Sequence, residues 1–211
     1  MRSLFIDTAS SRIILGLLEG HQLVNMINEE NDHSLSSRIF PLIDRLFYDA
    51  QWSVDDIKRI YVVIGPGSFT GIRIGVTIAK TFAWAKNLEI IPLSELELLA
   101  TTPHSTDYLV PYIDARREAV YAGIYKADRI VMDDAYISIN SLKAQYPNES
   151  IVAVSYDQCD LGIEQIKPEI NISKIVEKHE QDASKNPHEV NPVYLKLTEA
   201  EENLHRDSKN E

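Results

Sequence analysis

The chain has 211 residues, 44% of them apolar, a formal charge of −11 and one cysteine, Cys159. That is enough apolar material for one large domain or two small lobes with real cores, and it excludes an internal disulfide, as suits a reducing compartment. The acidic balance, with Arg116-Arg117 as its longest basic cluster, excludes a surface that grips a nucleic-acid backbone unaided. No apolar run approaches the ~18–20 residues of a membrane span, and only three apolar residues separate Met1-Arg2-Ser3 from Asp7, too few for a signal-peptide core. The expected location is cytoplasmic, with no membrane partner.

In chain order, Leu4-Phe5-Ile6-Asp7-Thr8 reads as a short buried strand ending in the polar turn Ala9-Ser10-Ser11. Arg12 to Leu18 and His21 to Asn28, separated by Glu19-Gly20, predict a strand, a tight turn and a second strand. Asn31-Asp32-His33-Ser34 supplies helix-start residues. Behind them Leu35, Ile39, Leu42, Ile43, Leu46, Phe47 and Ala50 recur at helical spacing, with Pro41 expected to kink the helix. Ser53 to Asp56 predicts a capped turn, and Arg59 to Ile64 an inner strand covered on both faces.

The run Ile64-Gly65-Pro66-Gly67-Ser68-Phe69-Thr70-Gly71-Ile72-Arg73 then marks a strand-to-helix junction, with a helix from Ile72 to Lys86. Leu88 to Leu93 is the next strand, and Ser94 to Glu97 has capping-box spacing for another helix. Thr101 to Asp107 is the expected boundary between lobes, dividing a first lobe (1–100) from a second, reduced lobe (101–190). The second lobe should hold strands at Tyr108 to Asp114, Ala119 to Tyr125, Arg129 to Ile139 and Ser150 to Ser155, with a short helix from Ser141 to Tyr146. The final segment (191–211) is polar and charged, expected to be partly disordered or a frayed helix. No internal repeat is visible in the sequence.

A glycine-rich turn between a strand and a helix is a natural anion site, because backbone N–H groups and the helix dipole converge there. The spelling here meets neither familiar signature. Thr70 stands where a Walker loop has its second glycine, and no Gly-Lys pair follows. For the dinucleotide fingerprint Gly65 and Gly67 fit, but Gly71 comes one residue late. Gly71, Gly75, Ala79 and Ala83 follow at a spacing of four, making one helix face nearly bare backbone, suited to close packing or to a docked subunit.

With those residues in view, Ile64 to Gly75 followed by Ala79-Lys80 closely resembles the TsaB (YeaZ) family, subunits of the bacterial machinery that makes threonylcarbamoyladenosine in tRNA. Ile6-Asp7-Thr8, Asp114-Ala115-Arg116-Arg117-Glu118 with Tyr121, and Pro192-Val193-Tyr194-Leu195-Lys196 match as well, Lys196 standing where arginine is usual. The resemblance implies an α/β protein of the actin-like, sugar-kinase-like (ASKHA) fold, with two small α/β lobes. It implies a non-catalytic scaffold or activating subunit that binds a TsaD-like catalytic subunit, together with a TsaE-like ATPase, for threonylcarbamoylation of the adenosine beside the anticodon. Contact with tRNA would then be indirect, through the complex.

Relatives that do chemistry bind ATP between the lobes, and Asp7, Thr8, Gly65, Gly67 and Ser68 match one side of that cradle as a vestigial nucleotide site. After Gly75 only the isolated Gly123 and Gly162 remain, so no cofactor is expected for the chain alone, and ATP or ADP only within a complex. Alignment through the loop places Glu95 and Leu99 where the catalytic relative carries two metal-binding histidines, so no metal site and no catalytic residue are expected. The docking face is expected on the two long helices, at Leu35, Ile39, Leu42, Ile43 and Leu46 of the first and Gly71, Ile72, Gly75, Val76, Ala79, Phe82 and Ala83 of the second. Without a partner the same face would support a homodimer. The alternative is an ATP-dependent enzyme or metallopeptidase (glycoprotease-like) acting in the interlobe cleft.

Overall fold

A computed structural model describes residues 1–31, 34–127 and 129–196. His33 and the segment after Lys196, for which a cap neighbour and a frayed tail are expected, lie outside the described residues. Two five-stranded sheets carry the architecture. In the first, β1 (Arg2–Asp7), β2 (Arg12–Glu19) and β3 (Gln22–Glu30) form an antiparallel meander, with β4 (Arg59–Val63) and β5 (Glu89–Leu93) added parallel to β1. The spatial order is β3-β2-β1-β4-β5.

The second sheet repeats this plan. There β6 (Tyr108–Asp114), β7 (Ala119–Lys126) and β8 (Arg129–Ser138) form the meander, and β9 (Ile151–Val154) and β10 (Gln165–Ile166) extend it in parallel, in the order β8-β7-β6-β9-β10. The sequence shows no repeat, yet the topology is duplicated. Strand pairing depends on alternation and register rather than on residue identity, so two sheets can share a topology without sharing a sequence. The second lobe is reduced in its helices: α4 (Ile139–Lys143) has five residues where α1 (Leu35–Ala50) has sixteen.

Strand β1 is central in its sheet, and Leu4, Phe5 and Ile6 are at most 1% exposed, as a strand covered on both faces requires. Helix α1 lies over β2 and β3, and α2 (Phe69–Lys86) over β4, β1 and β5. Pro41 does not interrupt α1. Its ring and Ser37 both sit on the exposed side, where water can satisfy the carbonyl left without a partner.

The chain crosses to the second lobe after α3 (Glu95–Leu99), near the expected boundary, but it does not remain there. Helix α5 (Ile172–Lys178) returns to the first lobe, where Ile172, Ile175, Val176 and later Val190 join the core of the first sheet. Residues 101–190 therefore contribute to both cores, because the apolar face of α5 finds cover against β2 beside Gly16. Among the described residues no helix is long and apolar enough to cross a membrane.

Candidate functional site

The glycine loop folds directly against the turn that follows β1. Ser68 N–H donates to the Ala9 carbonyl at 2.6 Å, and the Thr8 hydroxyl donates to the Gly71 carbonyl at 2.7 Å. A Cβ on Gly71 would stand 2.0 Å from the Thr8 carbonyl oxygen, and one on Gly75 2.4 Å from Thr8 Oγ1. Gly67 has φ +153, and a side chain there would meet the Ala9 carbonyl at 2.3 Å. At the start of α2, Gly71 N–H is taken by Ser68 Oγ at 3.2 Å and Ile72 N–H by the Ser68 carbonyl at 2.9 Å. Gly67, Ser68 and Gly71 therefore press one turn onto another while Gly65 packs against the Val193 carbonyl, and several N–H groups that could bind a phosphate are already occupied.

Between the lobes lies a cleft of about 280 Å³. Ser10 and Ser68 from the first lobe, Arg116, Ser155 and Asp157 from the second, and Glu95 from the connecting helix line it. Asp7 is fully buried behind the β1 turn, where its Oδ1 accepts the Ala9 N–H at 2.7 Å. Its Oδ2 and both oxygens of Glu95 have no hydrogen-bond partner in good geometry, although the two carboxyls are close enough to perturb one another. Burial pushes the Asp7 carboxyl up to about 7. Burial, and then the neighbouring Asp7 charge, drive Glu95 well above the ordinary carboxylate range. Ionising both carboxyls at once out of water is unfavourable, so burial and the Asp7 charge together favour the protonated form of Glu95.

The expected cluster Asp114 to Glu118 reaches this cleft through one residue. Arg116, Arg117 and Glu118 all adopt left-handed backbone conformations in the β6–β7 turn, and Arg116 comes to the cleft wall. Its guanidinium pairs with Asp114 at 3.2 Å, and Asp114 N–H donates to Asp157 Oδ2 at 2.9 Å. Leu99 also lines the cleft, so the two positions expected to replace a histidine pair do meet there, as a buried carboxyl and an aliphatic chain. Among the described residues no group of three metal-ligating side chains is assembled. Cys159 is a free thiol pushed up by burial, which disfavours the reactive thiolate.

The docking residues expected on the long helices need correction. Leu35, Ile39, Leu42, Ile43 and Leu46 are at most 6% exposed, as are Ile72, Val76, Ala79 and Ala83, and Gly71 and Gly75 are buried. They form the chain's own core, because the richest apolar stripe of an amphipathic helix goes to the sheet beneath it. The stripe of small residues lets α2 lie close on β1 and its turn. Only Phe82 among those expected residues reaches the outside. The outer face is a different set: Phe40 is 53% exposed and Trp84 68%, and an apolar groove of about 390 Å³ runs between the helices, walled by Phe40, Ile74, Ile78 and Phe82. Sequence reasoning missed Phe40 and Ile74 because each falls between the dominant core positions.

Two further contacts hold the lobes and helices together. The Ser94 hydroxyl and the Tyr125 hydroxyl both donate to Asp134 on β8, the latter at 2.9 Å. His179, after α5, lies between Glu97 of α3 at 3.0 Å and Asp182 at 2.7 Å. These contacts tie α3, on which Glu95 sits, to both its neighbours.

Residues 26–202 match the family described as TsaD: tRNA N6-adenosine threonylcarbamoyltransferase. The chain is 34% identical over 147 residues to the tRNA threonylcarbamoyladenosine biosynthesis protein TsaB of Bacillus subtilis, covering 69% of this chain and 64% of that protein. Against the protein of the same name from Escherichia coli it is 33% identical over 131 residues, covering 61% of this chain and 56% of the relative. The chain thus spans between half and two thirds of the length of these curated relatives. The solved structure of YeaZ from Pseudomonas aeruginosa superposes with a TM-score of 0.78 at 18% identity, over 92% of this chain and 99% of that one. Fold and cleft define a two-lobed α/β protein with the fold of YeaZ. The chain belongs to the TsaD family, on its TsaB (YeaZ) branch.

Proposed function

We propose that this chain is a non-catalytic, cytoplasmic subunit in the biosynthesis of threonylcarbamoyladenosine in tRNA. Its role is to bind and activate a TsaD-like catalytic subunit, with a TsaE-like ATPase joining the pair and tRNA held by the complex. The observation that carries this reading is the outer apolar groove between α1 and α2, bordered by the exposed Phe40. Apolar surface of this kind on a long helix pair marks a contact for another protein. A homodimer through the same face, when no partner is present, follows from the same surface.

The non-catalytic part of the reading rests on the cleft. The glycine loop is packed against the β1 turn, and the carboxyls of Asp7, Glu95 and Asp157 lie where a nucleotide phosphate would need positive charge or free N–H groups. Asp7, Thr8, Gly65, Gly67 and Ser68 therefore serve the fold in the lone chain, and any ATP or ADP would be held with partners. Reconstitution tests the proposal. Purified chain, TsaD-like subunit and TsaE-like ATPase should together modify tRNA, and omission of this chain should abolish product. Modification that proceeds without the chain, or turnover of ATP or peptide by the chain alone, would contradict it.

A further inference from the structure

Among the described residues that line the groove between α1 and α2, Arg73 alone is charged. It stands on α2 beside Ile74, and Phe40 of α1 shares the same groove. The chain holds 32 acidic residues against 21 lysines and arginines, so a surface arginine finds a carboxylate readily. Arg2, Arg12, Arg38, Arg45, Arg59 and Arg116 each have one. Arg73 pairs with none among the described residues, and aromatic side chains hold its guanidinium instead.

Arg73 Cζ lies 3.7 Å from the centre of the Phe69 ring and 5.7 Å from that of Tyr194, and the two rings stack at 4.9 Å. Arg73 Nε donates to the Tyr194 hydroxyl at 2.7 Å. Tyr194 is itself fixed by the segment that carries it. Val193 N–H donates to the Ile64 carbonyl at 2.8 Å, Val190 is buried in the first core, and Lys80 of α2 donates to the His188 carbonyl at 3.3 Å. This closing strap therefore sets the direction of one side chain on the outer face of α2. The contact with Tyr194 uses the single N–H on Nε; the N–H groups on Nη1 and Nη2 have no acceptor among the described residues. A guanidinium held this way loses little freedom when it pairs.

A partner that covers the groove strips water from Arg73, and a cation left uncompensated there opposes docking. The open end of a guanidinium matches a planar anion with two oxygens, a carboxylate or a phosphate. The apolar walls at Phe40, Ile74, Ile78 and Phe82 suit a protein helix, and the formal charge of −11 repels a nucleic-acid backbone. We propose that Arg73, positioned by Phe69 and Tyr194, receives an aspartate or glutamate carboxylate from an apolar helix of the partner and so fixes the register of docking. This rests on the reading of the groove as the docking face.

Sedimentation of the full chain with a TsaD-like subunit, at about 50 mM and about 500 mM sodium chloride, tests it. The wild-type complex should weaken as salt rises. Arg73→Gln should weaken it by about tenfold or more at low salt and remove most of the salt dependence. Arg73→Glu should dock more weakly still, and reversal of one acidic residue to lysine on the partner's docking helix should restore it. Tyr194→Phe keeps the ring and removes only the hydroxyl, for a smaller loss of about threefold. A purely structural arginine would move the melting temperature and leave the salt dependence of docking unchanged. Wild-type docking indifferent to salt, equal behaviour of Arg73→Gln, or no charge reversal that rescues Arg73→Glu would overturn the assignment. So would an Arg73→Gln chain that docks normally but loses affinity for tRNA, the result expected of a phosphate ligand. Docking that survives the Arg73 changes overturns this inference alone, whereas absence of any wild-type complex overturns the groove reading and this inference with it.

Discussion

Gly71 and Asp7 show how single residues govern the β1 turn. A methyl group at Gly71 would lie 2.0 Å from the backbone oxygen of Thr8, which cannot rotate away. Gly71→Ala should therefore destabilise the fold by about 3 kcal/mol or more, measured by urea unfolding; a loss under about 0.5 kcal/mol would contradict the packing described. Asp7 gives a pH signature. Burial raises its carboxyl from 3.8 to about 7, so the folded chain keeps a proton that the unfolded chain has released. The stability linked to that proton is full below the ordinary carboxylate pKa and is lost as pH rises through about 7. Unfolding curves between about pH 4 and about pH 7 should show this decline, and Asp7→Asn should reduce it, the buried Glu95 carboxyl keeping its own share. An unchanged slope in that variant would mean that Asp7 is ionised in the folded chain. The glycine run was legible in the sequence as a tight turn, but its contact with Thr8 was not. Nor was the meeting of Asp7 with Glu95, because spacing reports which face a residue occupies and not which distant residue faces it.

At the scale of elements, periodicity found α1 and α2, and the correction concerns what their apolar stripe touches. A stripe running from Leu35 through Leu46 is strong because it is core, and the outward face is a weaker second set broken by Ser36, Arg73, Thr77 and Thr81. Helix α5 was missed, although Asn171 caps it and Ile172, Ile175 and Val176 follow at helical spacing. Its seven residues sit in a polar stretch where the pattern is short. Beyond it, His179 clamps α3. Hydrogen bonding to Glu97 raises the imidazole pKa above 6.5, so its contribution is present below that value and is lost as pH rises through the raised one. Burial opposes ionisation of Glu97, but His179 and Lys178 outweigh it and hold the carboxyl low, so its share is present above its ordinary pKa and lost in acid. His179→Gln should cost roughly 1–3 kcal/mol near neutral pH and remove the loss on the alkaline side. Chemical unfolding at several pH values measures both, and a neutral-pH cost near zero would show that the clamp does not stabilise the fold.

The whole molecule is a duplicated sheet plan whose two halves have diverged in use. The first lobe keeps long helices and turns an apolar groove outward; the second contributes a five-stranded sheet, the left-handed Arg116 turn on the cleft wall, and Asp134, which accepts from Ser94 of the first lobe. Two lobes and an α/β class were readable from alternating strand and helix signals, whereas the duplication was not, because strand order is set by pairing at long range. The central claim, that the chain works by docking its α1–α2 face on a catalytic subunit, is tested most directly by sedimentation of this chain with a TsaD-like partner. The wild type should form a complex. Phe40→Asp combined with Trp84→Asp should abolish it, while the exposure of both side chains, 53% and 68%, keeps the melting curve close to wild type. A double variant that folds and still sediments with the partner at wild-type affinity would contradict the claim.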